Sequence, residues 1–206
     1  MNLEASTKWS GAGTVTEAYS VSTFDVDNDG TIEILAAGET QEAQQIGQLR
    51  VLNFDGASLS LEATTEWSWM GWTSARGVES CDINSDGIID IITAGFTDDG
   101  THRFAQLRIW NGASLTLEKS HEWLTFSTTY ALGVFANDLD DDEIKEIITC
   151  GVANDGRNYG QLRVWSIKVP ADFNIKASPL SRTIMQSQST SYDVIITFTS
   201  GTAEVN

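Results

Sequence analysis

Apolar and polar positions alternate along this chain in short runs with the two-residue period of half-buried strands, and no stretch carries a helical period. Three runs align with one another. Leu3-Glu4-Ala5-Ser6-Thr7-Lys8-Trp9, Leu61-Glu62-Ala63-Thr64-Thr65-Glu66-Trp67 and Leu117-Glu118-Lys119-Ser120-His121-Glu122-Trp123 each end on tryptophan. After a variable stretch, a short strand carrying Val21, Val78 or Val134 runs into an acidic loop. Each loop feeds an apolar run, from Ile32 to Ala37, Ile89 to Ala94 and Ile144 to Cys150. Gly38, Gly95 and Gly151 close these runs, so a backbone turn that a side chain would obstruct is expected there. A second variable stretch (39–46, 96–104, 152–159) leads to the best preserved strand. That strand reads Gly47-Gln48-Leu49-Arg50-Val51, Ala105-Gln106-Leu107-Arg108-Ile109 and Gly160-Gln161-Leu162-Arg163-Val164. Turn residues Asn53 to Gly56 and Asn111-Gly112 return the chain to the next Leu-Glu strand.

The acidic loops span 25–33, 82–90 and 138–146, so their starts lie 57 and 56 residues apart. A fixed period of this length marks a repeat architecture. Four short strands per repeat make the blade of a β-propeller, and one such sheet must stack on neighbours to cover its faces. The expected fold is therefore all-β, with residues 1–169 forming three four-stranded repeats. If the strand at Leu3–Trp9 closes the last repeat, the total is three whole blades, short of the usual four to eight. The chain is then a fragment, an open arc, or half of a six-bladed ring completed by self-association, which open strand edges favour. After Pro170 the pattern stops. In 170–206 the runs Phe173 to Ala177, Arg182 to Met185 and Tyr192 to Phe198 alternate like strands, as at the start of an incomplete immunoglobulin-like sandwich.

The loops carry the chemistry. Asp25-Val26-Asp27-Asn28-Asp29-Gly30-Thr31-Ile32-Glu33 places acids at positions 1, 3, 5 and 9 and glycine at position 6. That is a cage of hard oxygens around a tight turn, the donor set that Ca²⁺ takes. Asp82-Ile83-Asn84-Ser85-Asp86-Gly87-Ile88-Ile89-Asp90 repeats it. The side-chain ligands assigned are Asp25, Asp27, Asp29 and Glu33, then Asp82, Asn84, Asp86 and Asp90, with Thr31 and Ile88 supplying backbone carbonyls. The third loop offers Asp138, Asp140, Asp142 and Glu146 with the Ile144 carbonyl, but Glu143 replaces the turn glycine and Lys145 adds a positive charge. Two sites are expected to fill, and the third is doubtful. Position 12, glutamate in an EF-hand, is Ala36, Thr93 and Thr149 here, and strands replace the flanking helices. The ion's expected role is structural, neutralising clustered carboxylates.

With these loops, strands and closing glycines, residues 3 to 168 resemble the FG-GAP/VCBS repeats of integrin α-subunit headpieces and many microbial surface proteins. The phenylalanine-glycine and glycine-alanine-proline marks of that family are not evident, which leaves the subfamily open. The resemblance implies a calcium-binding β-propeller that recognises proteins or glycans at the cell surface or outside the cell. It also implies that position 9 closes the metal site, and that the variable stretches gather on the face opposite the metal loops. Candidate ligand-binding residues there are Trp69, Trp72, Asp98, Asp99, His102, Phe126, Tyr130, Asn154, Arg157 and Tyr159. Aromatics beside Asp, Asn and Arg suit a sugar or a peptide; the alternative is that the aromatics fill crevices between blades. No catalytic residue is assigned. The alternative functions are a polysaccharide-acting, lyase-like propeller, for which only Asp98, Asp99, His102 and Tyr159 could be named, and a structural surface-layer spacer.

The charge supports part of this picture. A formal net charge of −17 argues against nucleic acid or an anionic membrane as partner. No apolar run is long enough to insert in a bilayer. The N-terminus lacks the basic-then-apolar order of a signal peptide, so a fragment of a longer chain is expected. Cys81 and Cys150 fall at different repeat positions and read as small buried residues rather than a disulfide. Arg50, Arg108 and Arg163 recur at one position, as do Glu66 and Glu122, which suggests a repeated cross-strand ion pair. His102 and His121 fit no triad or zinc spacing.

Overall fold

A computed structural model describes residues 2–10, 15–69, 71–167, 172–178 and 193–200. Its regular structure is entirely β: β1 (Val15–Phe24), β2 (Glu33–Gln41), β3 (Gln45–Phe54), β4 (Leu59–Trp67), β5 (Thr73–Cys81), β6 (Asp90–Asp98), β7 (Arg103–Asn111), β8 (Leu117–Trp123), β9 (Thr128–Asn137), β10 (Glu146–Asn154), β11 (Asn158–Trp165), β12 (Asp172–Ser178) and β13 (Asp193–Ser200). Strands β1–β4 form an antiparallel meander, and β5–β8 form a second. Strands β9–β11 form a three-stranded third unit, joined to the second by one parallel bridge between Arg103 and Thr128. Strands β12 and β13 pair as a separate antiparallel ribbon. None of these sheets closes on itself.

Four expected features change. Residues 2–10 are not a strand. A strand of that type pairs with the third strand of a unit, and β3 already carries β4. The variable stretches are shorter than expected, because β2 runs on to Gln41 and β3 resumes at Gln45. Gly38, Gly95 and Gly151 are not turns; they lie inside β2, β6 and β10. Each faces a β-bulge in the preceding strand, where Tyr19, Arg76 or Leu132 is the extra residue. A Cβ at these glycines would stand 1.9 Å from the Glu17 carbonyl oxygen, 1.8 Å from that of Ser74 and 1.9 Å from that of Tyr130. The backbone comes so close that only glycine fits. Finally, both cysteines are free, but only Cys81 is buried; Cys150 is exposed on the uncovered face of the third unit. Of the runs expected after Pro170, Phe173 to Ala177 falls in β12 and 193–198 in β13. Arg182 to Met185 and Tyr192 lie outside the described residues.

The units stack through two apolar cores. Leu35, Ala37, Leu49 and Val51 of the first meander meet Ala75, Val78 and Ile91 of the second. Ile92, Ala94, Leu107 and Ile109 of the second meet Ala131, Val134 and Ile147 of the third. Neighbours Ile91 and Ile92 thus serve opposite cores, as the period of a strand requires. Both faces of the second meander are covered, which explains why β5, β6 and β7 are buried almost throughout. Antiparallel order puts the acidic loops and the β3–β4 and β7–β8 turns at one end of the sheets. The β2–β3, β4–β5, β6–β7, β8–β9 and β10–β11 connections lie at the other.

Candidate functional site

Each acidic loop joins the first two strands of a unit and folds on its own carboxylates. The residue at position 1 uses both oxygens: Asp25 accepts from the amides of Asp29 (3.0 Å) and Gly30 (3.0 Å). Asp82 does the same with Asp86 (3.1 Å) and Gly87 (2.8 Å), and Asp138 with Asp142 (3.2 Å) and Glu143 (2.9 Å). Position 5 accepts from the amide at position 7, through Asp29, Asp86 and Asp142, at 2.7–2.8 Å. Position 9 is buried and braces the loop from below. Glu33, Asp90 and Glu146 accept from the amides of Val26, Ile83 and Leu139 at 2.9, 3.2 and 3.0 Å. These side chain-to-backbone bonds hold the chain in a tight coil. Asn28, Ser85 and Asp141 at position 4, and Gly30, Gly87 and Glu143 at position 6, have positive φ. Glu143, at φ 71°, occupies a conformation that favours glycine.

Two clusters gather donor atoms within 4.8 Å of one another, Asp25 with Asp27 and Asp29, and Asp138 with Asp140 and Glu146. Both could hold a metal ion. The second loop has Asn84 at position 3. Its amide oxygen accepts from the Asp86 amide (3.1 Å) and its NH₂ donates to Asp86 Oδ2 (2.9 Å), so one acid is replaced by a neutral oxygen donor. Crowding of like charge shows in the titration of these groups. Asp142 pushes the carboxyl of Asp140 upward, aided by slight burial and by Glu146 and Asp138. Burial pushes Asp90 up to about 7, against the opposing Ile83 amide, and burial also raises Glu33. Asp138 moves the other way: burial raises it, but four loop amides together hold it below the usual range.

The second and third loops are tied together. Ser85 Oγ donates to the Glu143 carbonyl (2.7 Å), the Lys145 amide to the Ile83 carbonyl (3.2 Å), and Lys145 Nζ to the Asp82 carbonyl (3.0 Å). The charge of Lys145 is thus spent on the neighbouring loop's backbone. Gly112, in the β7–β8 turn, wedges between the first two loops. Its amide donates to the Ile89 carbonyl (2.8 Å), and a Cβ there would stand 2.7 Å from the Val26 oxygen.

At the opposite end the candidate residues divide into groups. Tyr130 and Asn154 line a depression of about 630 Å³ with Arg76, Arg103, Phe96 and Asn158. Trp72, Asp98 and Asp99 line a second, of about 450 Å³, which also reaches Arg103. Arg103 links the two, donating to Asp98 Oδ2 (2.8 Å) and to the Tyr130 hydroxyl (2.6 Å) beneath the exposed ring of Trp72. Asp99 accepts from the amides of Thr101 and His102 and faces His102 Nδ1 at 3.7 Å. Trp69 lies edge-on to Phe104. Phe126 packs on Tyr159, away from both depressions, and the Asn154 NH₂ donates to Asn158. Arg157 sits in the exposed β10–β11 turn. Arg76 was not foreseen. It lies over the Tyr19 ring at 3.7 Å and pairs with Glu39 at 3.2 Å. Its strand mixes apolar and polar residues and carries a second charge at Glu79, so no sequence signal set Arg76 apart.

The recurrent arginines are not ion-paired with Glu66 and Glu122; no such pair lies within 4.0 Å among the described residues. They contact tryptophans. Trp67, at the end of the first meander, donates its indole N–H to Gln106 Oε1 of the second (2.9 Å), and Arg108 covers its ring at 5.6 Å. Trp123 repeats this on Gln161 (3.0 Å) and Arg163 (5.7 Å), and Trp9 on Gln48 (2.9 Å) and Arg50 (5.2 Å). The glutamates bond the same glutamines, Gln48 to Glu66 and Gln106 to Glu122. Cation–π contact with a planar guanidinium accounts for the arginine at this position.

No protein-family model matches the chain, and no curated protein matches it.

Proposed function

We propose that this chain is a calcium-stabilised β-propeller segment that recognises a protein or glycan ligand outside the cell, through the end of its sheets opposite the acidic loops. One observation carries the reading. The same acidic loop, with the same hydrogen bonds from positions 1, 5 and 9, recurs in three successive meander units that stack face to face. Stacked four-stranded meanders are the building plan of a propeller. The donors are oxygens alone, which suits a hard cation with six to eight ligands rather than zinc. Asp25, Asp27, Asp29 and Glu33 with the Thr31 carbonyl would hold the first ion. Asp82, Asn84, Asp86 and Asp90 with the Ile88 carbonyl would hold a second. Asp138, Asp140, Asp142 and Glu146 with the Ile144 carbonyl form the third set. Bound there, Ca²⁺ neutralises the crowded carboxylates and fixes the coil. Exposed loop sites of this kind suit the high free calcium outside cells, where module affinities are about 10⁻⁴–10⁻³ M.

The recognition end supports the rest. Arg76 and Arg103, set among Tyr19, Phe96, Trp72 and Tyr130, give an otherwise acidic protein a local mix of cation, aromatic face and amide. Such a surface stacks on sugar rings or peptide side chains and donates to their oxygens. A polysaccharide-acting enzyme has less support, because the Thr101 and His102 amides hold the Asp99 carboxyl low and Tyr159 packs on Phe126. The test is calorimetric titration of chelator-treated protein with Ca²⁺, with thermal melts before and after. Two or three sites and a higher melting temperature are expected. No uptake and an unchanged melt would reduce the loops to acidic turns and overturn the reading.

A further inference from the structure

We infer that the two ends of the stack are complementary docking surfaces and that a second copy of this chain occupies each. Equivalent positions differ in exposure from unit to unit. Leu49 and Leu107, 0% and 5% exposed, face the next unit; Leu162, their counterpart on β11, is 70% exposed. Val51 and Ile109 are buried, whereas Val164 is exposed; Ala37 and Ala94 are buried, whereas Cys150 is exposed. The opposite end shows the reverse. Val78 on β5, 4% exposed, inserts into the first unit, and Val134 on β9 packs into the second. Val21 holds that position on β1 and is 69% exposed. The third unit therefore presents the surface that twice receives a first strand, and the first unit presents a first strand with nothing to enter.

The edges agree with the faces. Among the described residues, strand β11 ends its sheet without the fourth strand that β4 and β8 supply to β3 and β7. Leu3–Trp9 has the sequence of such a strand but no sheet of its own, and Trp9 already bonds Gln48, as the tryptophan of a preceding unit does. A second copy supplies the missing partner for each, in a head-to-tail junction. One mismatch is Lys8, where those strands carry Glu66 and Glu122, so this junction is weaker than the two within the chain. With the three units among the described residues, two copies hold six, within the usual four to eight of propellers, whereas one copy holds three and three copies hold nine. That count rests on the propeller reading above; the junction does not.

The test uses the whole chain with Ca²⁺ present, by sedimentation equilibrium over micromolar concentrations. The expected mass is twice the 22.5 kDa of one chain. Leu162→Glu and Val21→Glu each place a charge in the junction, and because both side chains are exposed in the single chain, both variants fold. Each variant alone is expected to be monomeric. Mixed together they are expected to form a dimer, because one supplies an intact tail and the other an intact head. A monomeric wild type overturns the inference and leaves the calcium reading standing. A wild-type monomer that Leu162→Glu destabilises identifies the chain's own residues 168–206 as the cover, which also overturns it. Failure of the mixture to dimerise overturns the head-to-tail arrangement. Head-to-tail species larger than two chains overturn the closed pair and count against the propeller reading.

Discussion

Replacing Trp67 by phenylalanine tests whether the indole-to-glutamine bond is what joins one unit to the next. The indole N–H is the donor to Gln106 Oε1, and Gln106 is buried. Leaving that oxygen without a partner costs about 1–3 kcal/mol. Withdrawing the indole face from Arg108 costs about 0.5–1 kcal/mol more. The space left beside Trp110, whose ring centroid is 4.8 Å away, adds roughly 1 kcal/mol. The expected loss is about 2.5–5 kcal/mol, or a fall in melting temperature of roughly 5–20 °C for a chain of this size. The three copies grade the effect. Trp123→Phe should cost less, because Gln161 is only partly buried and water can replace the donor. Trp9→Phe should cost least, because Gln48 Oε1 keeps a second donor in Arg50 Nε at 3.0 Å. Denaturant unfolding of the three variants, and of Trp67→Phe combined with Gln106→Leu, measures this. A coupling energy of about 1–2 kcal/mol is expected between Trp67 and Gln106. Strict additivity, or a Trp9 variant as damaged as the Trp67 variant, would refute the reasoning.

Other outcomes follow from single positions. Glu143→Gly relieves a positive φ and should stabilise the calcium-free protein by about 1 kcal/mol in urea unfolding, whereas Gly87→Glu should destabilise it by a similar amount. Gly95→Ala drives a methyl group into the Ser74 carbonyl and should cost at least about 3 kcal/mol; a melt within a degree of wild type would contradict the bulge geometry. Burial raises the folded-state pKa of Asp90 to about 7, above its unfolded value. Its contribution to stability in chelator is therefore full below about pH 4 and lost as pH rises through 7. Asp90→Asn should accordingly melt above wild type at pH 8 without divalent ions and should lose the stabilisation that Ca²⁺ gives; a lower melt at pH 8 in chelator would contradict the assigned cause.

The sequence made the repeat legible because its signals are local. A carboxylate bonding an amide four or five residues on leaves a fixed spacing, so all three loops could be read from Asp25, Asp82 and Asp138. Gly38, Gly95 and Gly151 were located but misread, because the carbonyl that excludes a side chain belongs to another strand. Arg50, Arg108 and Arg163 were recognised as a set, but each lies over a tryptophan from an earlier part of the chain, and Arg108 and Arg163 also over one of their own strand. A short-range view favoured glutamate. Cys150 was read as buried by analogy with Ala37 and Ala94, and its exposure depends on what stacks on the third unit, which no local pattern encodes. Arg76 was missed because a bulge residue escapes the two-residue alternation that sorts inside from outside.

The tryptophan contacts also place the folding module out of phase with the sheet. Trp67 ends β4 but completes the core around Trp110, and Trp123 ends β8 but completes the core around Trp165. Cutting the chain between sheets would strip each later unit of its own lid. Cutting one strand earlier, ahead of Leu59 or Leu117, would carry the lid along with the core it closes. Excision, permutation or grafting of these units should follow that offset frame, in which the last strand of one sheet is inherited by the next.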